Sequence, residues 1–185
     1  MPAYVGDSEL FRDQFSTKEM REIFNDRTTL QKWLDTEVAL AKAEAELGVI
    51  PKEAAQEIAR ASNANTYDLS SIKAEMDRTS HPIVPLIRAM ETKCDPKLAG
   101  YIHWGATTQD IMDTGQVLQI RDAWTLIERD IKILLQNLET LARVHRDTVM
   151  AGRTHGQQAL PITFGFKVAI WIDEIRRNQT RMDEA

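Results

Sequence analysis

Side chains able to do chemistry gather in three short polar stretches, and each stretch interrupts a helical pattern. The first is Thr79-Ser80-His81-Pro82. Ser80 or His81 stands at the start of a helix opened by Pro82, where outward-pointing backbone N–H groups favour an anion; a helix cap with an exposed histidine explains the same residues. The second runs His103-Trp104-Gly105-Ala106-Thr107-Thr108-Gln109-Asp110, followed by Asp113-Thr114. Gly105 permits a tight turn, and Thr107 and Thr108 lead into a long helix. Hydroxyls and free N–H groups therefore converge on a positive helix end, which suits a carboxylate. An N-cap with acidic residues complementing the dipole is the plainer reading, but the density of His, Gly, Thr, Gln and Asp exceeds what a cap needs. The third is Gly152-Arg153-Thr154-His155-Gly156-Gln157-Gln158-Ala159-Leu160-Pro161, continuing through Thr163, Gly165 and Lys167. Arg153 offers a planar fork for a carboxylate, and His155 can carry a proton near neutral pH. Its plainer reading is a solvated connection between helices. Together the three stretches suggest a composite site for a small anion, without naming a reaction.

The elements that must position them read as helices nearly throughout. Ser16-Thr17-Lys18-Glu19 has the pattern of a capping box before a short helix. A longer helix is expected from about Asp26 to Leu47, with apolar positions Leu30, Leu34, Val38, Ala41 and Ala45 at spacings of three and four. Gly48 suits a left-handed stop and Pro51 the first turn of the next helix. Further helices are expected to end near Ser62-Asn63, to run from about Tyr67 to Asp77, and to run from Pro82 to about Met90. From Thr107 to about Met150 there is no proline, and the sole glycine is Gly115. Ile120, Trp124, Ile127, Ile131, Leu134, Leu138 and Leu141 form a heptad seam. A helix of about 40 residues is a rod of roughly 60 Å, and such a rod belongs in a bundle or an oligomer. A polar loop follows Gly152, and a last helix starts near Thr163. No strand-like alternation of useful length stands out. Trp33, Trp124 and Trp171 read as packing residues, and His145 as structural or surface.

Composition narrows the classes. The chain is 43% hydrophobic and 28% charged, an ordinary soluble balance. Its formal charge of −5 has both signs interspersed, so no basic stripe points to nucleic acid. Cys94 is the sole cysteine, which excludes an intrachain disulfide and fits a reducing, cytoplasmic setting. Met-Pro-Ala-Tyr-Val-Gly-Asp lacks the pattern of a signal peptide, and no run of about 18 apolar residues is present to span a membrane. The four histidines lack paired ligand spacing for a metal. No phosphate loop or nicotinamide fingerprint occurs, so no cofactor is expected.

At His103-x-Gly105-x-Thr107-Thr108-x-Asp110-x-x-Asp113-Thr114 and Gly152-Arg153-Thr154-His155 the chain resembles the aspartase/fumarase superfamily, from about Ser16 to the C-terminus. The superfamily includes fumarase, aspartase, argininosuccinate lyase, adenylosuccinate lyase and 3-carboxy-cis,cis-muconate cycloisomerase. The resemblance implies an all-α protein with a small helical N-terminal domain (1–106) and the first long helices of a central bundle (107–185), incomplete here. It also implies a homotetramer whose subunits share active sites, and a small carboxylate substrate. The reaction removes a proton next to a carboxylate and expels a group at the β carbon. Carried over by position, Thr107 and Thr108 become carboxylate contacts, His155 the proton donor to the leaving group, and His81 a second active-site histidine. Gln109, Arg153, Thr154, Gln157 and, further out, Lys167 are further candidates for substrate binding. The family's Ser-Ser loop with its Met-Pro-x-Lys core, which carries the serine assigned as base, does not occur among the 185 residues. It is expected beyond Ala185, so the chain alone is expected to be inactive.

Within the superfamily, Ile23-Phe24-Asn25-Asp26-Arg27, His103-Trp104-Gly105-Ala106-Thr107 and Ala159-Leu160-Pro161-Ile162-Thr163-Phe164-Gly165 look most like the muconate cycloisomerase branch. Gln14-Phe15 stands where adenylosuccinate lyases typically carry an Arg-Tyr pair, while His155 with His81 looks more like a fumarate-forming C–N lyase. A non-catalytic helical assembly protein using the heptad seam is the reading from a different class.

Overall fold

The computed structural model describes residues 5–185; Met1–Tyr4, which begin the stretch read above as lacking a leader pattern, lie outside them. In chain order the elements are α1 (Lys18–Ile23), α2 (Asp26–Glu46), α3 (Lys52–Ala61), α4 (Leu69–Thr79), α5 (Val84–Glu91), α6 (Thr108–Val144), β1 (Val149–Thr154), β2 (Gln157–Thr163) and α7 (Phe164–Glu184), with short 3-10 turns between some of them. The described residues are thus predominantly helical. None of their helices is long and apolar enough to cross a membrane.

Two compact units divide the chain, one running to Ala123 and the other from Trp124 to Ala185. The first is built on α2 and α3. Leu30, Leu34, Ala41 and Ala45 of α2 are buried with Ala54, Ala55, Ile58 and Ala61 of α3, and Leu86 and Met90 of α5 join the same core. Small alanines let α2 and α3 pack closely after a sharp reversal. That reversal is a Schellman motif: Gly48, at φ +73°, follows the last turn, Val49 N–H donates to Glu44 O at 2.8 Å and Gly48 N–H to Ala45 O at 3.2 Å. Val38, expected on the apolar stripe, is half-buried. The position facing the core is instead Glu37, 1% exposed.

Burial along α6 is confined to its N-terminal part, up to Ala123. Its buried residues are Ile111, Gly115, Gln119 and Ala123, one per helical turn. Gly115 is the reason α6 can lie against α2: a Cβ there would sit 2.7 Å from Trp33 Cδ1. Gln119 is buried and satisfied, its amide donating to Ile23 O at 2.7 Å and Thr29 Oγ1 at 3.0 Å. Lys32 pairs with Asp122 at 2.6 Å.

Several expectations about boundaries are corrected. Thr17, not Ser16, caps α1, accepting from Met20 N–H at 3.2 Å. α5 begins at Val84, with Pro85 rather than Pro82 in its first turn. α6 ends at Val144, short of Met150. The largest difference is in the second unit, where the expected polar loop is an antiparallel hairpin of β1 and β2. The ladder pairs backbone groups that a loop would leave to water. His155 and Gly156 turn it at φ +48° and +73°, the two positive φ values that a two-residue type I′ turn demands. Gly152 sits at the register shift between Ala151 and Arg153, and a Cβ there would meet Leu160 O at 2.7 Å. Glycine, glutamine and proline in these strands hide the alternation. The hairpin base is clamped to the helices by Phe164 N–H to Thr148 O and Gly165 N–H to His145 O, both 2.9 Å. His145 is structural: its ring packs edge-on to Phe164 at 5.2 Å.

Gly115→Ala is expected to lower stability by about 1–3 kcal/mol through overpacking against Trp33. Alanine's better helix propensity, worth ~1 kcal/mol, works the other way. A urea midpoint that falls relative to Gly100→Ala, where added bulk meets nothing within 4 Å, checks this.

Candidate active site

Residues of two candidate segments meet in the first unit. The turn between α4 and α5 is made by Ser80, left-handed at φ +51°, whose N–H closes α4 on Met76 O at 2.8 Å. His81 Nδ1 accepts from Val84 N–H at 3.2 Å. That bond requires a lone pair on Nδ1, so the neutral ring carries its proton on Nε2. Nε2 lies 3.1 Å from Thr108 Oγ1 and donates to it. The Thr108 hydroxyl hydrogen is thereby directed elsewhere, available to an acceptor. His81 thus joins the start of α5 to the start of α6.

The α4–α5 turn is tied on its other side. Glu75 accepts from Arg78 at 2.5 Å and pairs with Arg88 of α5. The Arg78 guanidinium, with Arg88 adding to it against the effect of burial, pulls the Glu75 carboxyl down to about 2.

The segment leading into α6 turns twice through the left-handed region, at His103 (φ +60°) and Gly105 (φ +69°). Asp110 Oδ2 accepts from Thr107 N–H at 2.9 Å, and Asp110 N–H donates to Thr107 O at 3.1 Å; this reciprocal pair caps α6. Thr107 is exposed and Thr108 half-buried. Gln109 is turned away along the helix, its amide donating to Asp113 at 2.6 Å. His103 Nδ1 meets Glu37 Oε1 of α2 at 2.6 Å. Burial pushes the Glu37 carboxyl up, against the downward pull of His103.

In the second unit, the hairpin collects the remaining candidates. His155 is at its tip, Thr154 is paired with Gln157 and Arg153 with Gln158, and all are exposed. Lys167 lies further along, its ammonium 5.6 Å from the Trp171 ring centroid. Among the described residues, no three His, Cys, Asp or Glu side chains converge so as to hold a metal ion.

A family model described as lyase matches residues 12–185. The chain belongs to the lyase family of the aspartase/fumarase superfamily. Among the relatives of this lyase chain is N-acetyl-S-(2-succino)cysteine lyase of Enterococcus italicus, 45% identical over 184 residues, covering 100% of this chain and 40% of that protein. The adenylosuccinate lyase of Methanothermobacter thermautotrophicus is 44% identical over 170 residues, covering 92% of this chain and 38% of that protein. The crystal structure of the 3-carboxy-cis,cis-muconate lactonizing enzyme from Pseudomonas putida superposes with a TM-score of 0.86 at 40% identity, over 96% of this chain and 41% of that one. The chain therefore spans about two-fifths of the length of these proteins.

Of the residues singled out from sequence, the lyase fold joins His81 to Thr108 and groups Arg153, Thr154 and Gln157 around His155. Glu37 was missed. Its signal was present: it stands three residues after Leu34 and four before Ala41, a carboxylate on a stripe of apolar residues.

The Glu75 clasp makes the His81 turn acid-sensitive. Because Glu75 is held below its ordinary value of 4.5, down to about 2, its contribution is present above about pH 4.5 and lost as pH falls towards 2. The protection of the Ser80, His81, Ile83 and Val84 amides against exchange, taken relative to the intrinsic rate at each pH, is expected to fall over that window. Glu75→Gln is expected to lower that protection at neutral pH and to abolish its acid dependence.

Proposed function

We propose that this chain supplies the carboxylate-binding and proton-donating parts of a lyase that splits a 2-succino adduct at its C–S or C–N bond and releases fumarate. The observation that carries the reading is the Thr108 hydroxyl, fixed by His81 Nε2 at 3.1 Å beside Thr107 at the N-terminus of a 37-residue helix. One donor is aligned, and the helix end favours negative charge. Two of the relatives just described are named for substrates that carry a succino group.

The chemistry follows from the substrate. A base removes a proton from the CH2 carbon next to one carboxylate. The C–H electron pair builds an aci-carboxylate and then the C=C bond, as the bond from the adjacent carbon to sulfur or nitrogen breaks. The leaving atom takes that bond's electrons and a proton. Thr107 and Thr108 hold a substrate carboxylate, Arg153 offers a bidentate partner to another, and Thr154, Gln157 and Gln109 are further contacts. His155 gives the leaving group its proton. The base is the serine that the family resemblance assigns to a segment outside these residues. His155 is exposed on the hairpin tip, so the reading requires other elements to enclose it. The seam on α6 leaves Ile120, Ile127 and Leu134 at 41–45% exposure, an apolar surface of the kind that self-association covers. This fits the shared-site homotetramer that the resemblance implies.

A cycloisomerase acting on 3-carboxymuconate is the second reading, favoured by the likeness to the Pseudomonas putida enzyme.

The whole protein should be offered N-acetyl-S-(2-succino)cysteine, adenylosuccinate and 3-carboxymuconate, and fumarate or lactone formation followed. Fumarate from a succino compound is the expected result. Lactone formation alone would select the second reading, and turnover of none of the three would sink both. Thr108→Val should lower kcat/KM by about tenfold or more, the worth of a hydrogen bond to a charged group. His155→Ala should lower kcat by roughly 100-fold or more on a C–N substrate. Its effect on a C–S substrate should be smaller, because a thiolate can leave without its proton whereas an amine cannot.

A further inference from the structure

An acidic side chain buried on an apolar helix face is the least explained feature of the first unit. Glu37 is 1% exposed, at a position where leucine or alanine would continue the stripe of Leu30, Leu34, Ala41 and Ala45. Burying a carboxylate there opposes folding unless a partner compensates it. One partner is present: Glu37 Oε1 lies 2.6 Å from His103 Nδ1. The other oxygen, Oε2, has none, and among the described residues the only other buried side-chain oxygen in that state is Glu44 Oε2. Glu44 is two turns further along α2, and a Cβ built on Gly105 would lie 3.9 Å from its Oε1. α2 therefore holds the segment 103–105 at His103, with Glu44 lying near Gly105. The backbone is left-handed at both His103 and Gly105. For histidine that conformation is uncommon and persists where surrounding contacts impose it.

We propose that Glu37 is a positioning residue of the carboxylate site: its carboxylate accepts from His103 Nδ1–H, fixes that ring tautomer, and pins the left-handed backbone from which Thr107 and Thr108 follow. The ring's second nitrogen, Nε2, is then the one left for a ligand, in the manner of a carboxylate that orients a histidine through its other nitrogen. A carboxylate in a dry helix face gains nothing for stability over leucine, whereas a fixed ring and a fixed loop serve binding. The inference rests on the reading of Thr107 and Thr108 given above.

The test is a long-range ¹H–¹⁵N correlation at the histidine rings of the ¹⁵N-labelled full chain, with fumarate as the binding probe. The wild-type His103 ring is expected to carry its proton on Nδ1. In Glu37→Leu, which removes the acceptor, the ring is expected to change tautomer, the amides of residues 104–108 to shift, and fumarate to bind on the order of tenfold more weakly. A wild-type His103 protonated on Nε2 alone overturns the proposal without any variant, which covers the case in which Glu37→Leu does not fold. So does a folded Glu37→Leu with unchanged ring state and loop amides, or with unchanged fumarate affinity. If the wild-type protein binds no fumarate, the carboxylate-site reading fails, and the ring and loop signals still decide whether Glu37 positions His103.

Discussion

A carboxylate removed from water must find a compensating donor or stay protonated, and in this chain that requirement falls on Glu37. Its partner is His103, 66 residues later, at 2.6 Å. This contact links the helix on which the first unit is built to the segment that launches the longest helix of the chain. Once His103 is held there, Gly105 completes the turn, Asp110 caps Thr107, and Thr108 reaches His81 at 3.1 Å. The hydroxyls at the start of α6 thus owe their placement to the interior of α2 as well as to their own helix.

Backbone strain follows the same logic. Among the described residues, the non-glycines with positive φ are Ser80, His103 and His155, one in each of the three polar stretches. Each has a different local cause: a helix stop at Ser80, a loop braced by α2 at His103, a type I′ turn at His155. Left-handed conformations are unfavourable for side chains with a Cβ, so three of them at the three sites of chemical interest mark positions where geometry outweighs propensity.

The two units differ in how they use burial. Up to Ala123 the core is continuous and apolar, and α6 contributes one buried residue per turn. Beyond that point α6 buries none, although its heptad seam continues. In the second unit the close contacts are at the hairpin base, where a Cβ on Gly165 would lie 2.5 Å from Ala142 O. Packing there fixes where the hairpin leaves the helices, while the hairpin strands themselves stay exposed.

Much of this was legible in one dimension. Helices follow from apolar spacings of three and four, from Gly48 as a left-handed stop, and from the long proline-free run, because those signals act over a few residues. The polar motifs and the histidines within them marked the family in the same way, as residue types at fixed spacing. Three features lay outside that reach. The hairpin was hidden because its strands carry glycine, glutamine and proline, and a ladder depends on pairing rather than on composition. Glu37 looked like one acidic residue among many on α2, since a charge declares itself buried only when the opposite face of the helix is known. The bond from His81 to Thr108 joins residues 27 apart, and no local pattern encodes which of two polar loops meets the other. Sequence by itself determined the elements and the chemistry available at their ends; the packing of α2 against α6 and the loop before it decided which of those groups meet.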